Sequence, residues 1–152
     1  AGGGFEMAIA CDLRIASDRL RMAEIAVSSG FVSEWSCPRN LPKLIGLAKA
    51  TELILTGRFV EAEEALAIGL VNRVVPAAEL EAATFEWADQ MARLPAVGVR
   101  YAKEMIKLYN QDNRSEARGA EEIERVLELM RRDEAAEGIA SLLERRQPYW
   151  RR

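Results

Sequence analysis

The chain contains no histidine among its 152 residues, so any acid–base chemistry it performs must be done by carboxylates. One carboxylate stands out at once. In the opening stretch AGGGFEMAIACDLRIASD, Glu6 interrupts an apolar run that follows the triplet Gly2-Gly3-Gly4. Glycine accepts backbone angles closed to other residues and lets a ligand approach the main chain, so a glycine triplet opening a helix suits an anion or a developing oxyanion. A second acid, Glu34, sits in the turn-rich segment SSGFVSEWSCP, just ahead of an expected helix start at Ser36 or Pro38. The lack of histidine also removes Ser-His-Asp and Cys-His nucleophilic catalysis and any histidine-based zinc site. Cys11 and Cys37 form neither a metal-ligand cluster nor a disulfide framework, and both read as small buried hydrophobes. No metal site is expected.

Composition bounds the frame that must hold these groups. With 49% hydrophobic and 30% charged residues the chain can bury a core, and its net charge of -3 offers no general field for nucleic acid. Its apolar runs fall short of membrane-spanning length, and the cytoplasm is the expected compartment. Gly4–Ala10 reads as a short helix, apolar nearly all round and hence buried. Residues 12–17 read as a strand with Leu13 and Ile15 on one face. Residues 20–27 read as a second extended run in which Leu20 and Met22 alternate against Arg19 and Arg21. Helical blocks follow at 42–46 and 48–56, the latter stopped by Gly57. Glu61, Glu63 and Glu64 open another helix that Gly69 ends, and VNRVVP is a short strand closed by Pro76. From Ala77 onward the apolar spacing is helical throughout. The organisation is an α/β portion over 1–76 and a helical portion over 77–152. A domain seldom opens on a glycine-rich turn, so the chain reads as the second half of something larger.

The order of three motifs carries a resemblance. AGGGFEMAIACDLRIASD, then KATELILTGRFVEAEEALAIGLVNRVVP, then EGIASLLERRQPYW resemble the enoyl-CoA hydratase/isomerase (crotonase) superfamily over nearly the whole chain. The resemblance implies the C-terminal half of a crotonase-like β/β/α spiral, followed by a helical region that builds trimers, commonly stacked as hexamers. It implies an acyl-CoA thioester as substrate, with coenzyme A part of that substrate and no separate cofactor. It also implies that the N–H of Gly3, at the middle of the triplet, is one of two donors to the thioester carbonyl. Proton removal beside a thioester pushes charge onto that oxygen, and fixed N–H groups at a helix N-terminus stabilise it. The other donor, with most of the CoA-binding surface, would belong to an N-terminal half not included here. These residues alone would therefore lack a complete site. Gly2 adjoins the donor, and Arg145 matches a basic position that reaches the phosphates of CoA.

The resemblance also sets the choice of reaction. Hydratases of the superfamily use two glutamates, and Glu6 matches the first, whereas the second falls at Ala26. Glu24 is two residues away. The Pro-Gly-x-Gly-Gly loop of the superfamily is replaced here by Ser33-Glu34-Trp35-Ser36-Cys37, with Glu34 seven residues before Leu41-Pro42. That arrangement resembles the Δ3,Δ2-enoyl-CoA isomerases, whose single catalytic glutamate lies in such a loop. One carboxylate suffices to shift a double bond, because the same group can remove a proton from C2 and return it to C4. Trp35, in place of the usual glycine, either narrows the acyl pocket or packs against the helical block. The expectation is an isomerase with Glu34 and Glu6 as its acids. The alternatives are a hydratase and a non-catalytic member serving assembly.

Overall fold

A computed structural model describes residues 1–29, 33, 36–110, 124, 127–128 and 131–149. They fall into two compact units, Ala1–Phe85 and a second beginning at Glu86. The first contains α1 (Gly3–Ala10), β1 (Ile15–Ser17), β2 (Arg21–Met22), a 3-10 turn (Val27–Ser29), α2 (Cys37–Ile45), α3 (Leu47–Thr56), β3 (Val60–Glu61), α4 (Ala62–Ala67) and β4 (Arg73–Val75). A 3-10 turn (Ala77–Glu79) leads into α5 (Leu80–Ala92), within which the boundary between the units falls. Among the described residues after Val75 there are helices and turns but no strand.

The strands are shorter than the alternation of the sequence predicts, and the reason is their pairing. β1 runs parallel to β4 with Ile15, Ala16 and Ser17 opposite Arg73, Val74 and Val75. Before that ladder a side chain takes over: the Arg14 N–H donates to Asn72 Oδ1 at 2.8 Å, and the Asn72 N–H returns to the Arg14 carbonyl at 2.8 Å. The buried face is also not the one expected. Ala16 points into the core, Ile15 is half-buried, and Leu13 is 41% exposed. β2 pairs antiparallel with β3, placing Met22 opposite Val60 in the core while Arg21 turns outward over the Phe59 ring at 4.8 Å. Beyond Met22 the run expected to be extended bends into the Val27–Ser29 turn.

α1 buries one face rather than its whole circumference. Phe5 and Ile9, one helical turn apart, enter the core, whereas Met7 is 70% exposed. They meet Leu41 of α2, Ala50 and Leu53 of α3, Val60, Ala65, Leu70 and Val71 in one cluster. The LTGR motif ends α3 and fastens α4 to it. Gly57 takes the left-handed conformation at φ 61° and donates its N–H to the Leu53 carbonyl at 3.0 Å. Arg58 then bonds Glu52 through Nε at 2.8 Å and Glu64 through Nη1 at 2.8 Å. Glu64 and Glu52 are each held below the ordinary carboxylate range, Glu64 chiefly by Arg58 and Glu52 by Lys49 and then Arg58. A Cβ at Gly57 would lie 2.9 Å from Ser28 Oγ and 3.1 Å from Ser28 Cβ. Gly57→Ala is therefore expected to destabilise the unit by about 1–3 kcal/mol, from backbone strain and this contact, read as a lowered denaturation midpoint.

In the second unit α6 (Ala96–Tyr109) and α7 (Asp133–Leu143) are described, and Tyr101 of α6 is buried. The Glu137 carboxylate organises the end of α7. Arg146 grips it with two bonds of 2.6 and 2.7 Å, and the Tyr149 N–H adds a third at 2.9 Å. No helix among the described residues is long and apolar enough to cross a membrane.

Candidate functional site

Gly2 makes the start of α1 possible. Its φ of 55° and ψ of -126° lie outside what a side chain tolerates, and its N–H donates to the Ala23 carbonyl at 3.1 Å, tying the turn to the segment after β2. Gly3 is the first residue of the helix and is exposed. A first-turn N–H has no acceptor within its own helix, so the Gly3 N–H is a donor facing outward at the positive end of α1.

Glu6 is the buried counterpart of that donor. It is 6% exposed, in the first turn of α1, and held by three bonds from the segment entering α2. The Ser33 hydroxyl donates to Oε1 in a short bond. The Ser36 N–H donates to Oε2 at 3.3 Å, and the Ser36 hydroxyl donates to the Glu6 backbone carbonyl at 3.1 Å. Ser36 is the N-cap of α2, a position where serine usually caps its own helix; here its hydroxyl is committed to α1 instead. Burial of a carboxylate requires such partners, and the N-terminus of α2 adds a favourable dipole.

Glu24 is buried more completely, at 2% exposure. Its Oε1 accepts the Ala26 N–H at 3.1 Å, while Oε2 is buried with no partner among the described residues. Cys37, the first residue of α2, has no exposed surface. Burial first, and then the neighbouring charge of Glu24, push its thiol up to about 11; a hydrogen bond with Ser33 opposes this, and the charge of Glu6 adds to it. Two carboxylates, a hydroxyl and a thiol thus share one buried cluster. The thiol ordinarily titrates near 9.0, so above that pH the unfolded chain loses a proton that the folded chain keeps. Stability is expected to fall as pH rises from about 9 to about 11, and the part due to Cys37 should vanish in Cys37→Ser when urea midpoints are compared.

Several site residues named from the sequence are brought together and others are not. Gly2, Gly3 and Glu6 lie on one turn and one helix. Glu34 and Trp35 lie outside the described residues, though Ser33 and Ser36, which flank them in sequence, both bond Glu6. Arg145 is exposed, belongs to the second unit, and adopts a φ of 52°, while it is its neighbour Arg146 that grips Glu137. Cys11, expected to be buried, is exposed, with its thiol donating to the Met7 carbonyl at 3.4 Å. Sequence reasoning assigned no role to Ser33, Ser36 or the thiol of Cys37. The one signal available was two serines replacing proline and glycine positions of the expected loop pattern.

The profile of the enoyl-CoA hydratase/isomerase family matches residues 1–152. The chain belongs to the enoyl-CoA hydratase/isomerase family. A short-chain-enoyl-CoA hydratase of Clostridioides difficile is 42% identical over 106 residues, covering 70% of this chain and 68% of that protein. A carnitinyl-CoA dehydratase of Proteus mirabilis is 33% identical over 162 residues, covering 99% of this chain and 59% of the relative. The crystal structure of an enoyl-CoA hydratase from Bacillus anthracis superposes with a TM-score of 0.86 at 34% identity, over 97% of this chain and 57% of that one. This chain thus has the crotonase-like α/β fold, and it spans about three-fifths of the length of relatives that match it nearly end to end. These three relatives are named for adding or removing water.

Proposed function

We propose that this chain handles protons beside the carbonyl of an enoyl-CoA thioester and shifts its double bond. The carrying observation is the pairing of an outward N–H at Gly3 with a buried carboxylate at Glu6 on the same helix, while Ala26 stands where a hydratase of this family keeps its second glutamate. The Gly3 N–H stabilises the enolate oxygen. Glu34 removes the C2 proton and returns it to C4, and Glu6, through Ser33 and Ser36, fixes the segment on either side of it. Gly2 sets the geometry of the donor, Trp35 borders the acyl chain, and Arg145 contacts the CoA phosphates.

A second reading, hydration of a 2-enoyl-CoA, is favoured by the names of the relatives and by Glu24, a buried carboxylate two residues from Ala26 whose Oε2 has no partner among the described residues. Both readings require a thioester. CoA thioesters should raise the thermal midpoint of the protein and free fatty acids should not; equal protection by both would remove the role given to Gly3. Parallel assays with 3-enoyl-CoA and 2-enoyl-CoA then decide between shift and hydration.

A further inference from the structure

Glu6 is an acid whose oxygens are already in use, and their partners are unequal. The Ser33 hydroxyl donates to Oε1 in a short bond, whereas the Ser36 N–H reaches Oε2 at 3.3 Å, the far end of the range for such a bond. A short O–H bond to an ionised oxygen is the stronger kind, so Ser33 is the principal partner of the carboxylate. Ser36 commits its own hydroxyl to the Glu6 backbone carbonyl at 3.1 Å. Ser33 and Glu6 are both buried, at 8% and 6% exposure, which leaves little room for a further donor at Oε1. Hydration bonds a water oxygen to C3 of an enoyl chain and places a proton on C2, and the proton that leaves the water needs a base to receive it. In so confined a place, Oε1 must give up the Ser33 bond before it can accept from water.

We propose that Ser33 determines which reaction this site performs: by holding Oε1 of Glu6 it keeps that acid as an anchor and suppresses the addition of water, leaving the double-bond shift. This rests on the reading in which the Gly3 N–H and the acids near it serve an enoyl-CoA thioester. In that reading the shift proceeds with Oε1 occupied, because Glu34 carries its proton. Ser33 is thus a specificity-determining residue that acts through Glu6, and its own proton is not consumed.

Rates of 2-enoyl-CoA hydration and of the 3-enoyl-CoA shift, measured in variants of Ser33, test it. Ser33→Ala frees Oε1 and should raise turnover in hydration about tenfold, the scale of one hydrogen bond to a charged group, with no gain in the shift. Ser33→Thr keeps the hydroxyl and should hold hydration at the level of the unsubstituted protein, whereas Ser33→Val, of the same shape without the hydroxyl, should behave as Ser33→Ala. Ser36→Ala removes a neighbouring hydroxyl that does not touch the carboxylate, and it should give no rise. Hydration that falls or stays level in both Ser33→Ala and Ser33→Val overturns the proposal, as does a changed ratio that comes only from a slower shift. Carbon-13 NMR of the side-chain carboxyls gives a readout independent of turnover. The Glu6 signal, identified by its loss in Glu6→Gln, should move in Ser33→Ala and stay in Ser33→Thr; a signal unmoved in Ser33→Ala also overturns the proposal. An unsubstituted protein that performs no shift, with hydration rising in Ser33→Ala, would refute the double-bond reading and still support the role given to Ser33.

Discussion

Gly3→Pro should lower turnover on an enoyl-CoA by about 10²–10³, the loss typical of removing one oxyanion donor. Proline deletes the N–H that we assign to the thioester oxygen, and it does so at the first position of α1, where proline is well tolerated because that N–H has no intrahelical role. Gly3→Ala is the control. It keeps the N–H, and a Cβ there would meet no heavy atom within 4 Å, so its loss should be much smaller. Circular dichroism should show α1 retained in both. If proline and alanine cost the same, the N–H is not the donor and the glycine triplet is only a turn.

Glu34→Gln should reduce conversion of 3-enoyl-CoA to 2-enoyl-CoA by at least about 10², because the amide keeps the size of the side chain but cannot take a proton. Glu6→Gln should cost the shift less and should abolish hydration. The physical ground is the different engagement of the two acids. Both oxygens of Glu6 are occupied by Ser33 and Ser36, and an amide oxygen can replace only one of those acceptors. Some loosening of the segment, seen as faster hydrogen exchange at the Ser36 amide, should accompany the substitution. Should Glu6→Gln eliminate every activity while Glu34→Gln leaves rates intact, the double-bond shift is wrong and hydration takes its place.

Ala26 and its neighbour Glu24 bear on the same choice. A hydratase needs one group to activate water and another to deliver a proton, and Ala26 offers neither. Glu24 lies two residues away on the same segment and is buried in the core.

Much of this protein was legible in its residues because local rules decide it. The αL glycine after α3, the acidic start of α4, the short strand before Pro76 and α5, α6 and α7 beyond it follow from conformational preference and apolar spacing, and each recurs in the structure at nearly the expected place, while most of the expected helix over 111–130 lies outside the described residues. The glycine triplet with Glu6 pointed to an oxyanion site for the same local reason. Faces and partners were a different matter. Leu13 looks like a core residue by alternation, yet Ala16 is buried instead, because the register of β1 against β4 fixes which side faces the core and that partner lies 58 residues away. Cys11 and Cys37 are alike in sequence terms, and only packing exposes one and buries the other against two carboxylates. The bonds from Ser33 and Ser36 to Glu6 close a loop of about thirty residues, and no periodicity encodes such a contact. Residue types and local spacing determined which acids this protein has available; the tertiary structure decided which of them are buried together, because burial and hydrogen bonding depend on neighbours that the chain supplies from far away.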